Sequence, residues 1–194
     1  ARLSMIVGIG VPLFVLLFLK YFNFFGRIIN MIAGREMFTP MALLVPIGIS
    51  FYTLQAISYI VDVYWEKSEG EKNLLKIAMF LCFFPQIMEG PISLYSDTSE
   101  AIYNADRPNA DSLIEGTMRI LWGCMKKLLI ADRLNVVVKT LFDNHTQYSG
   151  VMIAVAAVAY TIQLYTEFSG VMDIVIGSAR LINIKLPENF RQPF

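Results

Sequence analysis

The sequence predicts an all-α, polytopic transmembrane protein with re-entrant or broken helices. Its 194 residues are 56% hydrophobic and only 16% charged, against about 45–50% and about 25% in a soluble domain. Mean hydropathy is +0.54. Several apolar runs approach the roughly 20 residues that a helix needs to cross a bilayer. The alternation over about ten residues that marks a transmembrane barrel is absent.

Charge and cysteine content exclude other classes. Sixteen basic residues balance 16 acidic ones, so no basic stripe suits a nucleic-acid partner. Cys82 and Cys124 lie in apolar runs and are expected to be buried thiols, not a disulfide or metal framework. The first apolar run is too long for a signal peptide and has no cleavage site after it. The chain starts at Ala1 and ends at Phe194 without a polar tail. This reads as one membrane domain, 1–194, forming the N-terminal to central fragment of a longer protein.

The first membrane segment is expected at residues 3–25. Lys20 interrupts it near the far end, where its stem can snorkel to the interface. Tyr21 and nearby phenylalanines suit an interfacial belt. A polar link follows, with Arg27, Asn30, Gly34, Arg35 and Glu36, and Pro40 then fits the first turn of the next helix. That second segment, 41–65, has no Lys or Arg. Gln55, Ser58, Tyr59 and Asp62 recur at i, i+3, i+4, i+7 and share one face. The face either hydrogen-bonds to neighbouring helices or lines a water-filled cavity.

After the charged link 66–73, the third segment (74–92) is short. It is broken by Pro85 and ended by Gly90 and Pro91. Such runs suit re-entrant or interrupted helices, whose freed backbone groups need protein or water. Gln86 and Glu89 are therefore expected to face protein or a cavity. A polar loop is expected over 93–111. In 112–142, Glu115 and Arg119 have the spacing of an i,i+4 pair, and Arg119, Lys126 and Arg133 recur every seven residues along one side. This segment is either an interfacial amphipathic helix or a basic wall for an anionic donor. A fifth segment starts near Tyr148. Its Ala154, Ala156, Ala157 and Ala159 would allow close packing.

The strongest chemistry lies in QLYTEFSGVMDIVIGSARLINIKLPENFRQPF (163–194). If helical, Gln163, Glu167, Gly170, Ile174 and Gly177 form one narrow face, and Asp173, Gly177 and Arg180 a neighbouring one. Asp173 and Arg180 stand two turns apart, so each needs another partner. A break at Ser169 and Gly170 would give either an interfacial water site or an intramembrane polar site. Two prolines make 186–194 irregular, with Asn189 and Arg191 free to donate hydrogen bonds. His145, the sole histidine, sits in a polar link with no orienting partner and reads as a solvated loop residue. Asn144 to Thr146 matches a glycosylation acceptor, a short and weak pattern. No metal spacing, phosphate-binding glycine loop or nucleophile elbow is present.

Four blocks make the chain resemble the membrane-bound O-acyltransferase family, in its bacterial branch of alginate O-acetyltransferases and teichoic-acid D-alanyl transferases. They are VPIGISFYTLQAISYIVDVY (45–64), FFPQIMEGPI (83–92), LWGCMKKLLIADRL (121–134) and the 163–194 stretch. In the last, Gln163, Tyr165, Phe168 to Gly170, Asp173, Gly177 and Leu186 to Phe190 carry the match. The detail is closer to the alginate acetylation type. Glu167 stands where Asp is expected, and Glu89 where a smaller residue is common.

The resemblance implies a multi-pass enzyme of the bacterial cytoplasmic membrane. It would move an acyl group from a thioester co-substrate, acetyl-CoA or an acyl-carrier protein, with no bound cofactor. The acceptor would be a hydroxyl on a polysaccharide or on an extracytoplasmic acyltransferase partner. The family's essential histidine follows the P-E-N-F block, beyond Phe194. His145 does not match it, so no catalytic residue is expected in this chain and the fragment is expected to be inactive. Gln86, Glu89, Gln163, Tyr165, Glu167, Ser169, Asp173 and Asn189 become candidates for the wall of a substrate channel. Two other readings stay open: a transporter with a broken-helix solute site, and a non-catalytic membrane scaffold.

Overall fold

The computed structural model describes residues 2–87, 90–91 and 93–190. Among them, all regular structure is helical. The order is α1 (Arg2–Ala33), α2 (Ile49–Tyr64), α3 (Leu74–Leu81), α4 (Tyr95–Tyr103), α5 (Ala110–Met125), a π-helical turn (Lys126–Ala131), α6 (Asp132–Asp143), a 3₁₀ turn (His145–Gln147) and α7 (Gly150–Leu181). α1 and α7, each 32 residues, are long and apolar enough to cross a membrane. At 1.5 Å per residue each is about 48 Å long, well beyond a hydrocarbon core of about 30 Å.

The chain divides into two compact units. Unit one comprises Ala1–Met88 with Leu94–Ser99; unit two comprises Glu89–Ser93 with Glu100–Phe194.

In unit one, α1 runs eight residues past its expected end and stops where Gly34 takes φ +63°. Its last turns hold the next stretch of chain. The Asn23 amide donates to Met41 O (2.8 Å) and accepts from Met41 N (2.9 Å). Asn30 does the same for Met37 and Phe38. These bonds keep the chain non-helical after Gly34, so α2 begins at Ile49 and not near Met41. Pro46 and Gly48 (φ +78°) reinforce the delay. Lys20 Nζ donates to Ser50 Oγ at 3.2 Å. On α2, Gln55 and Asp62 are buried as the polar stripe requires.

The third segment breaks as Pro85 predicts: among its described residues, helix extends over Leu74–Leu81 alone. Cys82, at the C-cap of α3, is exposed and Cys124 half-buried, against the expectation of buried thiols. The expected loop 93–111 contains α4. It forms because Tyr95, Thr98, Ser99 and Ile102 bury one face of an otherwise polar stretch.

In unit two, α5 and α7 pack antiparallel over their full contact, with α6 against the first half of α7. α7 is a single continuous helix. The expected break at Ser169 and Gly170 does not occur, because Gly170 lies in a close helix–helix contact and stays helical there. Of the four alanines thought to aid packing, Ala156 is buried, while Ala154 and Ala157 are exposed.

Candidate functional site

The site is built on two matching stripes. Along α5 and into the first residue of the π turn they are Gly116, Arg119, Gly123 and Lys126; on α7, Gly170, Asp173, Gly177 and Arg180. Each reads glycine, charge, glycine, charge at i, i+3, i+7, i+10, which places all four residues on one helix face. In antiparallel register the glycines meet in pairs. A Cβ at Gly116 would lie 2.8 Å from the Gly177 carbonyl oxygen, and one at Gly170 would lie 2.9 Å from that of Gly123. The backbones therefore approach as closely as only small residues allow. The charged residues between the glycines are brought within reach of one another.

Asp173 is the centre. Its side chain is only 9% exposed. Arg119 Nε donates to its Oδ1 at 2.9 Å, and Lys126 Nζ to its Oδ2 at 2.6 Å. The other edge of the Arg119 guanidinium grips Glu188 in a fork, NH1 on Oε1 at 2.6 Å and NH2 on Oε2. Such bidentate, charge-assisted bonds are the strong ones. Arg180 Nε donates to Glu115 Oε2 at 2.7 Å. Asp173 and Arg180 thus each find another partner, as their spacing demands. The expected Glu115–Arg119 pair does not form, because both side chains take partners contributed by α7 and the segment after it. Of the expected basic line, Arg133 is exposed. The π turn between it and Lys126 adds a residue to the helical repeat and rotates Arg133 off the stripe.

A cavity of about 840 Å³ opens over this network. Met118, Trp122, Ile176 and Phe190 give it apolar walls; Arg119, Lys126, Asp173 and Glu188 lie along its polar side. An anionic or hydroxyl-bearing group entering it would meet cations whose own counter-charges are already in place.

The predicted channel residues divide accordingly. Asp173 lines the cavity. Tyr165 stacks edge-on against the cavity-lining Phe190, with centroids 5.9 Å apart. Ser169 is 1% exposed, one turn before Asp173, and its hydroxyl has no hydrogen-bond partner. Gln163 is buried; its Nε2 donates to Asn135 Oδ1 at 3.3 Å, while its Oε1 is buried without a partner. Glu167 accepts from Lys127 Nζ at 3.2 Å and is partly exposed. Asn189 is exposed. Gln86 is buried in unit one. Glu89 and Arg191 lie outside the described residues. His145 is exposed, its Nδ1 3.0 Å from Phe142 O, in the turn between α6 and α7. Reading the sequence alone undervalued Arg119, Lys126 and Glu188; the repeated glycine–charge spacing was the signal that marks the first two.

No family model matches the chain. Curated relatives do. The probable alginate O-acetylase AlgI of Pseudomonas putida is 37% identical over all of this chain and 40% of its own length. The peptidoglycan O-acetyltransferase of Helicobacter pylori is 32% identical over the whole chain and 41% of its own. The teichoic acid D-alanyltransferase of Bacillus subtilis is 27% identical over 76% of this chain and 38% of its own. The chain thus spans about 40% of the length of the first relatives it matches. Similarity along the full chain to the O-acetyltransferases, and along most of it to the D-alanyltransferase, agrees with the four sequence blocks: the chain belongs to the membrane-bound O-acyltransferase family.

Proposed function

We propose that this chain is part of a multi-pass O-acyltransferase of the bacterial cytoplasmic membrane. The acyl group is acetyl, taken from a thioester donor, acetyl-CoA or an acyl-carrier protein. It passes toward a hydroxyl of a cell-surface polysaccharide, directly or through an extracytoplasmic acyltransferase partner. The observation that carries this reading is the buried Asp173 network along one side of a large, partly apolar cavity, in a chain matched end to end by O-acetyltransferases.

Acyl transfer needs a base for the hydroxyl, donors for the developing oxyanion and a path that excludes bulk water. The cations on Asp173 are fixed before substrate arrives, which is the condition for electrostatic stabilisation without reorganisation. His145 is exposed and is not among the residues lining the cavity. We therefore do not assign it the base, and residues 1–194 alone are proposed to be inactive. Acetyl is preferred over D-alanyl because the acetyltransferase relatives are the more similar. A broken-helix solute site loses its main support, since α7 is continuous.

The test is acyl transfer by full-length protein carrying Gln163→Ala or Asp173→Ala, with membrane insertion checked in parallel. Transfer from a radiolabelled acetyl thioester to polysaccharide or partner is expected to fall in both. Unchanged turnover in both variants would remove the proposed site.

A further inference from the structure

Arg119 belongs to two parts of unit two at once. Its Nε edge is bonded to Asp173 on α7, and its outer edge to Glu188 on the strap that follows α7, residues 184–190. That strap is one wall of the cavity: Ile184, Lys185, Leu186, Glu188 and Phe190 all line it. Yet it has little backbone support. Ile184 N donates to Ala179 O at 3.0 Å, and among the described residues no backbone hydrogen bond is made by 185–190. Apart from the burial of Ile184 and Leu186, the strap is held by the Arg119–Glu188 fork and by the ring contact of Phe190 with Tyr165.

We propose that Arg119 is a positioning residue, which fixes the strap against the α5–α7 pair and so sets the width of the cavity. Two features separate this role from general support of the fold. Asp173 keeps Lys126 when Arg119 is lost, and the α5–α7 contact rests on the two glycine pairs, so the helices do not depend on the guanidinium. The job also requires arginine. One planar group presents one edge to each carboxylate, which an ammonium point charge does not.

The structural arm of the test stands alone; the kinetic arm rests on the acyl-transfer reading. Hydrogen exchange would be measured on full-length protein in nanodiscs for wild type, Arg119→Lys, Glu188→Gln, the double variant, and Lys76→Gln as a control on the Lys76–Glu71 ion pair. Arg119→Lys and Glu188→Gln are each expected to speed exchange of the Ile184 amide, the strap's hydrogen-bonded N–H, by about ten-fold or more, with α5 and α7 unchanged. The double variant should be no faster than either single one, because both cut the same link. Per folded molecule, kcat/KM for acyl transfer should fall in step with strap exchange, and Lys76→Gln should change neither. Wild-type exchange in the strap of both variants would overturn the proposal, as would equal loosening of α5 and α7. Faster strap exchange in a protein whose wild type transfers from no donor would uphold the positioning role and sink the acyl-transfer reading.

Discussion

Gly123 and Gly170 meet backbone to backbone across the α5–α7 seam: a Cβ built on Gly170 would lie 2.9 Å from the Gly123 carbonyl oxygen and 3.2 Å from Lys126 Cβ. Neither neighbour is the free end of a flexible side chain. Seven residues along each helix, Gly116 and Gly177 repeat the contact. Gly170→Ala or Gly177→Ala must therefore push the helices apart, at about 1–3 kcal/mol each for overpacking. Gly10 on α1 has nothing within 4 Å, so Gly10→Ala should be neutral or stabilising by up to about 1 kcal/mol, the ordinary helix preference. Thermal unfolding in detergent would compare the three; equal melting temperatures would contradict the close seam.

The two carboxylates paired on α7 should differ sharply in worth. Asp173→Ala strips the shared acceptor from Arg119 and Lys126, whose side chains are 34% and 20% exposed. Fully buried pairs cost about 3–5 kcal/mol to break; partial exposure of the cations brings the expected loss to roughly 2–3. Glu167→Ala breaks a pair that is 35% and 41% exposed and should cost under about 1 kcal/mol. Chemical denaturation of the two variants checks the ranking.

How much of this was legible follows from the range of the forces involved. α1 and α7 stand out because apolar runs report burial or lipid directly. The continuity of α7 through Gly170 was hidden, since a glycine reads locally as a break, and only its opposite number on α5 explains why it is helical. α2 starts late because Asn23 and Asn30 hold the chain between α1 and α2 by its backbone, a tertiary effect absent from any local pattern. Glu115 and Arg119 satisfy the i,i+4 rule and ignore it, because partners 54 to 69 residues away hold them better. The need of Asp173 and Arg180 for outside partners was readable; the identity of those partners required the helix register.

Gly48 carries two constraints. Its φ is +78°, and a Cβ there would run into the Ile87 carbonyl. The left-handed conformation alone costs a non-glycine residue about 1–2 kcal/mol. Gly48→Ala should exceed that and disturb the start of α2, visible as faster exchange of the Phe51 and Tyr52 amides, which both bond to Gly48 O. Gly34 (φ +63°) has open space around it, so Gly34→Ala should show the conformational cost alone.

The Glu71 carboxyl, in the link between α2 and α3, is held below the ordinary carboxylate range. The main cause is the hydrogen bond from Asn73 N at 2.9 Å, and Lys76 adds to it. A depressed folded value means the contribution is complete above the unfolded pKa, near 4.3, and is lost as pH falls through the lower folded value. Local order of the link should loosen on that acid side. Glu71→Gln should remove the step, which backbone amide shifts of residues 71–76 would follow.

Gln163 offers the sharpest separation of folding from function. Its Oε1 is buried without a partner, and a buried unsatisfied acceptor costs about 1–3 kcal/mol. The hydrogen bond from its amide nitrogen to Asn135 is 3.3 Å long, and Asn135 is exposed, so water can replace the loss. Gln163→Leu keeps the volume and removes the unmet acceptor. Stability should then hold within about 1 kcal/mol or rise. If the free carbonyl serves the proposed channel, acyl transfer by the full-length protein should nevertheless drop ten-fold or more, on the order of 1.4 kcal/mol of transition-state binding. A variant as active as wild type and more stable would show that Gln163 is a packing residue with a misplaced amide. Only the loss of transfer without loss of fold assigns it to the chemistry.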